Sequence, residues 1–254
     1  MWRGDYFYLL RNLVLKDFRT RYRNMSLGLL WSLVNPLVMM TMMTFVFTKI
    51  FPLTAISKFP VFVLCGLVPF NFFSLAWANG TTSIIDNAQL IKRVPVPRET
   101  LPIASVLGNA VHLTIQVVLL LVIALAFGTG VNRYWLWLPV LWACELVFVI
   151  GCALLCGALD VYVRDMRYVV ESACMVLFWL VPIFYDISRV RPQYADIYQY
   201  NPIAALVLAL RNIILEGKPP RAVLLSKLFL VSFFMLLLGW SVFRRLSRRF
   251  YDYL

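Results

Sequence analysis

Charge is scarce in this chain, and so are the side chains that do covalent chemistry. Only 14% of the 254 residues are Asp, Glu, Lys or Arg, against about a quarter in a domain that must cover itself in water, which excludes an ordinary soluble fold. Histidine occurs once, as His112. Without an aspartate-rich or His/Cys cluster at ligand spacing, no metal site is expected, and no loop pairs a base with a nucleophile. A phosphate-cradling loop needs glycines ahead of Lys-Ser/Thr, but the Gly217-Lys218 step runs into Pro219. If ATP drives this protein, another chain binds it. The five cysteines (Cys65, Cys144, Cys152, Cys156, Cys174) lie within apolar stretches and read as reduced core residues. The opening MWRGDYFYLLRNLVLKDF has charges recurring through it and no apolar core before a cleavage site, so a retained N-terminus is expected.

What is plentiful is apolar surface, at 62% of residues. Crossing the hydrocarbon takes roughly 20 apolar residues. Uncharged intervals run over Gly28–Thr48, Phe59–Ile85, Thr100–Asn132, Tyr134–Leu159 (broken by Glu145), Val169–Tyr185 (broken by Glu171) and Leu228–Phe243. The expectation is an all-α integral membrane protein of about six transmembrane helices in a single domain over 1–254. The net charge of +12 invites a nucleic-acid reading, which the positions of the charges oppose. Arg3 to Arg23, Lys92, Arg93, Arg98, Arg164, Arg167 and Arg244 to Arg249 gather on one side of these spans, as the positive-inside rule requires of the cytoplasmic face. Both termini are therefore expected in the cytoplasm.

Ahead of the first span, in residues 1–27, Leu10, Val14, Phe18 and Tyr22 recur at one-turn spacing opposite Lys16, Arg19 and Arg23. That pattern predicts an amphipathic helix lying in the interface, as a topology anchor or a docking element. The outer segment 186–221 is half apolar and punctuated by prolines. It predicts two short helices separated near Asn201-Pro202, the second, Ile203 to Leu215, too short to span and too apolar for water. His112 reads as hydrogen-bonded packing, and Glu145 is an intramembrane carboxylate of open role. No internal repeat relates the two halves, which counts against an inverted-repeat secondary transporter.

Two cytoplasmic loops are more specific. In NAQLIKRVPVPRETLP (Asn87 to Pro102), residues 87–94 can form a short helix, while Pro95, Pro97 and Pro102 forbid its continuation and impose extended backbone. In ALDVYVRDMRYVVE (Ala158 to Glu171), Asp160, Arg164, Asp165 and Arg167 crowd a turn where they could tie helix ends or receive a partner. Composition alone leaves both as either solvated turns or docking sites.

These blocks, with RYRNMSLGLLWSLVNPL (Arg21 to Leu37), YVRDMRYV (Tyr162 to Val169) and YNPIAALVLALRNIILEGKPP (Tyr200 to Pro220), resemble the ABC-2 permease family, specifically membrane subunits that export O-antigen, teichoic acid and capsular polysaccharide. The resemblance runs over nearly the whole chain and in register with the spans. It implies a homodimer, each subunit contacting one copy of a separate ATPase that binds ATP and Mg, with no cofactor on this chain. It implies a coupling helix in the loop 87–98, with Leu90, Ile91, Lys92 and Arg93 meeting the ATPase and Pro95 and Pro97 supplying stiffness. Arg164 and Asp165 would support inner helix ends. The segment 186–221 would form re-entrant gate helices, with Tyr198, Tyr200, Asn201, Pro202 and Arg211 as gate residues.

A sugar polymer suits a lumen of aromatic faces and hydroxyls on which rings can slide. Of the many aromatics here, Trp31, Phe70, Phe73, Trp77 and Tyr185 are candidates to line it, the rest forming lipid-facing belts. The expected substrate is a lipid-linked glycan crossing a bacterial inner membrane. Competing readings are a permease of the same family for a smaller lipid or drug, a membrane-embedded transferase, or an ion channel or secondary transporter built on His112 and Glu145.

Overall fold

The computed structural model describes residues 5–22, 30–50, 56–94, 96–187 and 201–253, and the regular elements among them are all helical. They are α1 (Tyr6–Tyr22), α2 (Trp31–Phe45, continued as a π turn to Ile50), α3 (Phe59–Asp86), α4 (Ala88–Arg93), α5 (Thr100–Ala126), α6 (Leu138–Asp160), α7 (Met166–Leu180), α8 (Pro202–Ile214) and α9 (Ala222–Leu246). A 3₁₀ turn at Arg133–Trp137 precedes α6, and another at Ser247–Asp252 follows α9.

Local chemistry explains the breaks. Pro60, Pro139 and Pro202 stand at the first turns of α3, α6 and α8, where a missing N–H costs nothing. Asn201 Oδ1 accepts from the Ile203 N–H at 3.1 Å to cap α8. α5 stops at Gly128, whose φ of 73° is the left-handed turn that glycine adopts without a Cβ clash. α7 ends at Leu180 because Val181 precedes Pro182 and takes extended backbone.

Among the described residues five helices, Trp31–Ile50, Phe59–Arg93, Thr100–Ala126, Arg133–Asp160 and Ala222–Phe250, are long and apolar enough to cross a membrane. The interval Val169–Tyr185, expected as a further span, forms the shorter α7 of 15 residues, about 22 Å. The chain goes on to Tyr185 without regular helix, since the Pro182 step stops it.

α3 is the axis of the bundle: its most apolar stretch is 78% buried, against 6% for α2. It touches α2, α5, α6, α7 and α8, while α6 packs along α9 and α1 along α5. In lipid, helices gain little from leaving an apolar solvent, so close backbone approach decides which of them adhere. α6 and α9 meet at Gly151 and Gly239, where a Cβ on Gly151 would lie 2.6 Å from the carbonyl carbon of Met235 and one on Gly239 would collide with the Gly151 carbonyl. A backbone cannot rotate aside as a side chain can. Gly151→Val is therefore expected to cost about 3 kcal/mol or more, read as loss of monodisperse protein and a lowered thermal midpoint in detergent. Gly130→Val is the control, since nothing lies within 4 Å of its added Cβ.

A second apolar cluster gathers Leu13 of α1, Ile91 of α4, Val161 after α6, Phe243 of α9 and Phe250 of the final turn. α1, the α3–α5 loop, the α6–α7 turn and the C-terminal turn thus share one end of the bundle, as the charge pattern requires of a common face. α8 is buried along almost its whole length at the other end, against α3, α6 and α9. The apolar side of α1 faces protein more than lipid: Leu13 is buried, and Leu9, Leu10 and Val14 pack on the cluster.

Candidate functional site

Polar residues of two spans recur at helical spacing. In α3, Asn71, Ser74, Thr82 and Asp86 share one face with Ala78, and in α5 Ser105, Asn109, His112 and Gln116 follow at steps of three or four. The two stripes meet where Asn79 Nδ2 donates to Asn109 Oδ1 at 3.2 Å. Within the membrane they border a groove of about 370 Å³ that takes in Asn35 of α2, Asn71, Asn109, His112, Gln116 and Glu171 of α7. At the α1 end a second hollow of about 380 Å³ reaches Lys16, Asp17, Asn79, Thr82, Asp86 and Ser105. The two hollows share no lining residue, and the bonded Asn79–Asn109 pair stands between them on a track along α3 and α5.

His112 is held in that wall, its Nδ1 2.9 Å from Ser32 Oγ, while Gln116 Nε2 donates to the Ser32 carbonyl at 3.2 Å. It orders polar side chains, in keeping with the packing reading. Between its charged α1 end and Glu171 the track offers amides and hydroxyls, each able to donate and accept, which matches the repertoire of a sugar hydroxyl. The track went unseen in the sequence because amides and hydroxyls count as uncharged; the spacing of 105, 109, 112 and 116 was the available signal. Glu145 lies outside it, 1% exposed on α6, with neither carboxyl oxygen hydrogen-bonded among the described residues.

The expected aromatic lining needs correction. Phe70 and Phe73 are buried inside the subunit, Phe70 edge-on to Phe178 at 5.4 Å and Phe73 against Phe148 at 6.0 Å. They belong to its core and line no lumen. Trp77 is half-buried, its indole N–H donating to Cys156 Sγ at 3.3 Å. Trp31 is 51% exposed at the start of α2. Tyr185 turns its hydroxyl back to the Trp179 and Leu180 carbonyls, both at 3.2 Å, closing the end of α7.

The α3–α5 loop folds as a short helix, with one reassignment. Ile91 points into the subunit and is 3% exposed, and Leu90 packs beside it. With one apolar face, a six-residue helix spends it on its own core. Gln89, Lys92, Arg93 and Val94 are left on the outer surface. Extended backbone at Val94 (φ −131°, ψ 132°) and hydrogen bonds from the Val96 N–H to the Val94 carbonyl (2.8 Å) and from Thr100 Oγ1 to the Pro97 carbonyl (2.6 Å) brace the descent into α5. Pro95 lies outside the described residues. α1 joins this loop where Lys16 Nζ donates to Asn87 Oδ1 at 2.7 Å.

Arg164 and Asp165 are exposed on the α6–α7 turn; Asp165 is the N-cap of α7, and the Arg164 charge acts on Asp160, the last residue of α6. Tyr162 ties the turn to the end of α9, its hydroxyl donating to the Leu246 carbonyl at 2.8 Å. Beside it Arg167 Nε donates to Glu171 Oε1 at 2.9 Å, and this hydrogen bond raises the guanidinium above its ordinary pKa.

At the opposite end Arg211 is 5% exposed within α8. Its Nη2 donates to the carbonyls of Ile183 (2.8 Å) and Phe62 (3.3 Å), and its plane lies over the Phe62 ring at 3.4 Å. Arg211 thus pins α8 to α3 and to the segment after α7, beside a cavity of about 610 Å³ that also meets Lys58, Asp186, Asn212, Glu216 and Arg221. Tyr198 and Tyr200 lie outside the described residues; Asn201 and Pro202 start α8.

Membrane-length helices arranged around a polar track, rich in amides and hydroxyls and charged at its α1 end, define a multi-pass membrane transport protein. Residues 8–215 match the ABC-2 type transporter family, and the chain belongs to that family. It is 29% identical over 252 residues to an O-antigen export system permease protein of Klebsiella pneumoniae, covering 99% of this chain and 96% of that one. It is also 29% identical to a protein of the same description from Myxococcus xanthus (95% and 92% covered), and 24% identical to a polysialic acid transport protein of Escherichia coli (91% of each).

Proposed function

We propose that the chain is the channel-forming membrane subunit of an ATP-driven exporter that moves a lipid-linked, O-antigen-like surface polysaccharide across the bacterial inner membrane. The observation that carries this reading is the Asn–Ser–Thr–His–Gln track on α3 and α5. In hydrocarbon an amide without a partner costs several kcal/mol, so a groove of this kind has to be closed off from lipid and filled by water or a hydroxyl-rich substrate. A second copy of the chain supplies the cover. The faces of α2 and α7 beside the groove leave Val38, Met42, Met175 and Val176 uncovered, apolar surface that a second copy would cover. The names of the relatives supply the substrate class.

Two copies of a separate ATPase, holding ATP and Mg, act on the cytoplasmic end through α4. The sequence has no phosphate-binding loop of its own, and Lys92 and Arg93 stand on the outer surface of a braced loop. At the far end α8, pinned by Arg211, forms the gate.

Deleting the gene tests the reading. The expected result is loss of surface glycan with lipid-linked glycan accumulating inside the cell, restored by the wild-type chain. Intact surface glycan together with new sensitivity to a drug or a lipid would replace this substrate with a smaller one.

A further inference from the structure

α4 follows α3 after the single residue Asn87, which gives it a direct route to that helix, and it packs on the other elements through Ile91 and Leu90. The C-terminal turn supplies a second connection. The last carbonyls of a helix have no partner within it, and two where α9 runs into the next turn, those of Leu246 and Ser247, are taken by side chains of two different loops. Arg98, from the loop that carries α4, donates through Nη1 to the Ser247 carbonyl. Tyr162, from the α6–α7 turn, donates through its hydroxyl to the Leu246 carbonyl at 2.8 Å.

Phe250 lies between them and is fully buried. Its ring meets Phe243 edge-on at 5.6 Å and Tyr162 at 6.1 Å, and the Arg98 guanidinium stands 5.7 Å from its centre. From this grip α9 runs 25 residues, about 38 Å, locked to α6 through Gly151 and Gly239 and reaching α8.

We infer that the turn Ser247–Asp252 is a latch through which displacement of the α4 loop is delivered to α9, with Arg98, Tyr162 and Phe250 as its positioning residues. Given that function, the latch explains how a push at one face reaches the pinned helix α8 at the other. It rests on the reading that a separate ATPase acts through α4. Arg98 pulls on the last turn of α9 by a charged hydrogen bond, Tyr162 holds the same turn against α6, and Phe250 fills the space between. The three act on each other and on no substrate.

The test uses the chain co-expressed with its ATPase and reconstituted in proteoliposomes, comparing wild type with Arg98→Gln/Tyr162→Phe, Arg98→Lys and Phe250→Trp. Two quantities are read: ATP hydrolysis, and glycan delivered per ATP. For the double variant the expected result is an ATPase that still co-purifies and hydrolyses ATP, with glycan per ATP lowered about tenfold, the worth of two hydrogen bonds. Arg98→Lys, which keeps a cationic donor for Ser247, recovers most of the yield. Unchanged glycan per ATP in the double variant would show a mere helix cap and overturn the latch. Loss of co-purification in that variant alone would also overturn it, by placing Arg98 and Tyr162 in the docking face. Should the double variant fail to insert, Tyr162→Phe alone decides, since it removes one hydroxyl and no ring; yield per ATP equal to wild type then rejects the latch. Failure of wild type to bind any ATPase rejects the proposed function instead.

Discussion

A chain carrying Lys92→Glu and Arg93→Glu is expected to insert and fold normally and to lose its ATPase. Both residues lie on the outer face of α4, in the last turn, where cations also suit the helix C-terminus. Neither contributes to the apolar cluster that holds α4 in place, so thermal stability in detergent should stay close to wild type. Placing like charges across a docking interface costs several kcal/mol, and about 3 kcal/mol lowers affinity roughly 100-fold. Co-purification of the ATPase and surface glycan should fall together, and reversing acidic residues on the ATPase should restore both. Ile91→Asp gives the contrasting result. A carboxylate at a position 3% exposed is expected to unfold the loop, lowering the thermal midpoint before any docking defect appears. If Lys92→Glu/Arg93→Glu retained its ATPase, the docking surface would have to be sought on α1 or on the α6–α7 turn.

That contrast between Ile91 and its neighbours marks where sequence reading stops. The prolines around Val96 forecast the extended descent from α4, because restricted dihedrals act locally. Which side of a six-residue helix turns inward is set by the cluster of Leu13, Val161 and Phe250, which arrive from distant parts of the chain. Phe70 and Phe73 show the same limit differently. α3 is apolar on most of its circumference, so hydropathy placed it in the membrane without telling lumen from core. The spans themselves were legible because length and apolarity are additive along the chain. α7 came out shorter than its uncharged interval because Pro182 sits inside that interval. Arg211 shows the converse: in a helix too short to span and too apolar for water, an arginine needs carbonyl partners, and the Phe62 and Ile183 carbonyls provide them.

The groove was written in the sequence at helical spacing, but only as uncharged residues scattered through apolar runs, and the largest consequence of the proposed function rests on it. Replacing Asn79 and Asn109 together by leucine removes the 3.2 Å bond that joins the two stripes without leaving either amide orphaned. Replacing both partners with apolar groups is close to neutral for folding. Expression, dimer formation and ATPase binding should therefore match wild type. For a hydrated glycan the same change puts an apolar collar across the track between the two hollows, and loss of the part-exposed Asn79 amide withdraws about 1–1.5 kcal/mol of hydrogen bonding from the sugar passing it, Asn109 being buried and bonded to Asn79 and to the Ser105 carbonyl. A barrier higher by about 1.4 kcal/mol slows passage roughly tenfold, so export should fall while ATP hydrolysis persists. Val118→Leu is the control, since it changes an exposed position of α5 outside the groove. Had the track been only a polar seam between two helices, the leucine pair would leave glycan per ATP unchanged. A fall in export that spared ATP hydrolysis and stability would place the moving sugar on α3 and α5.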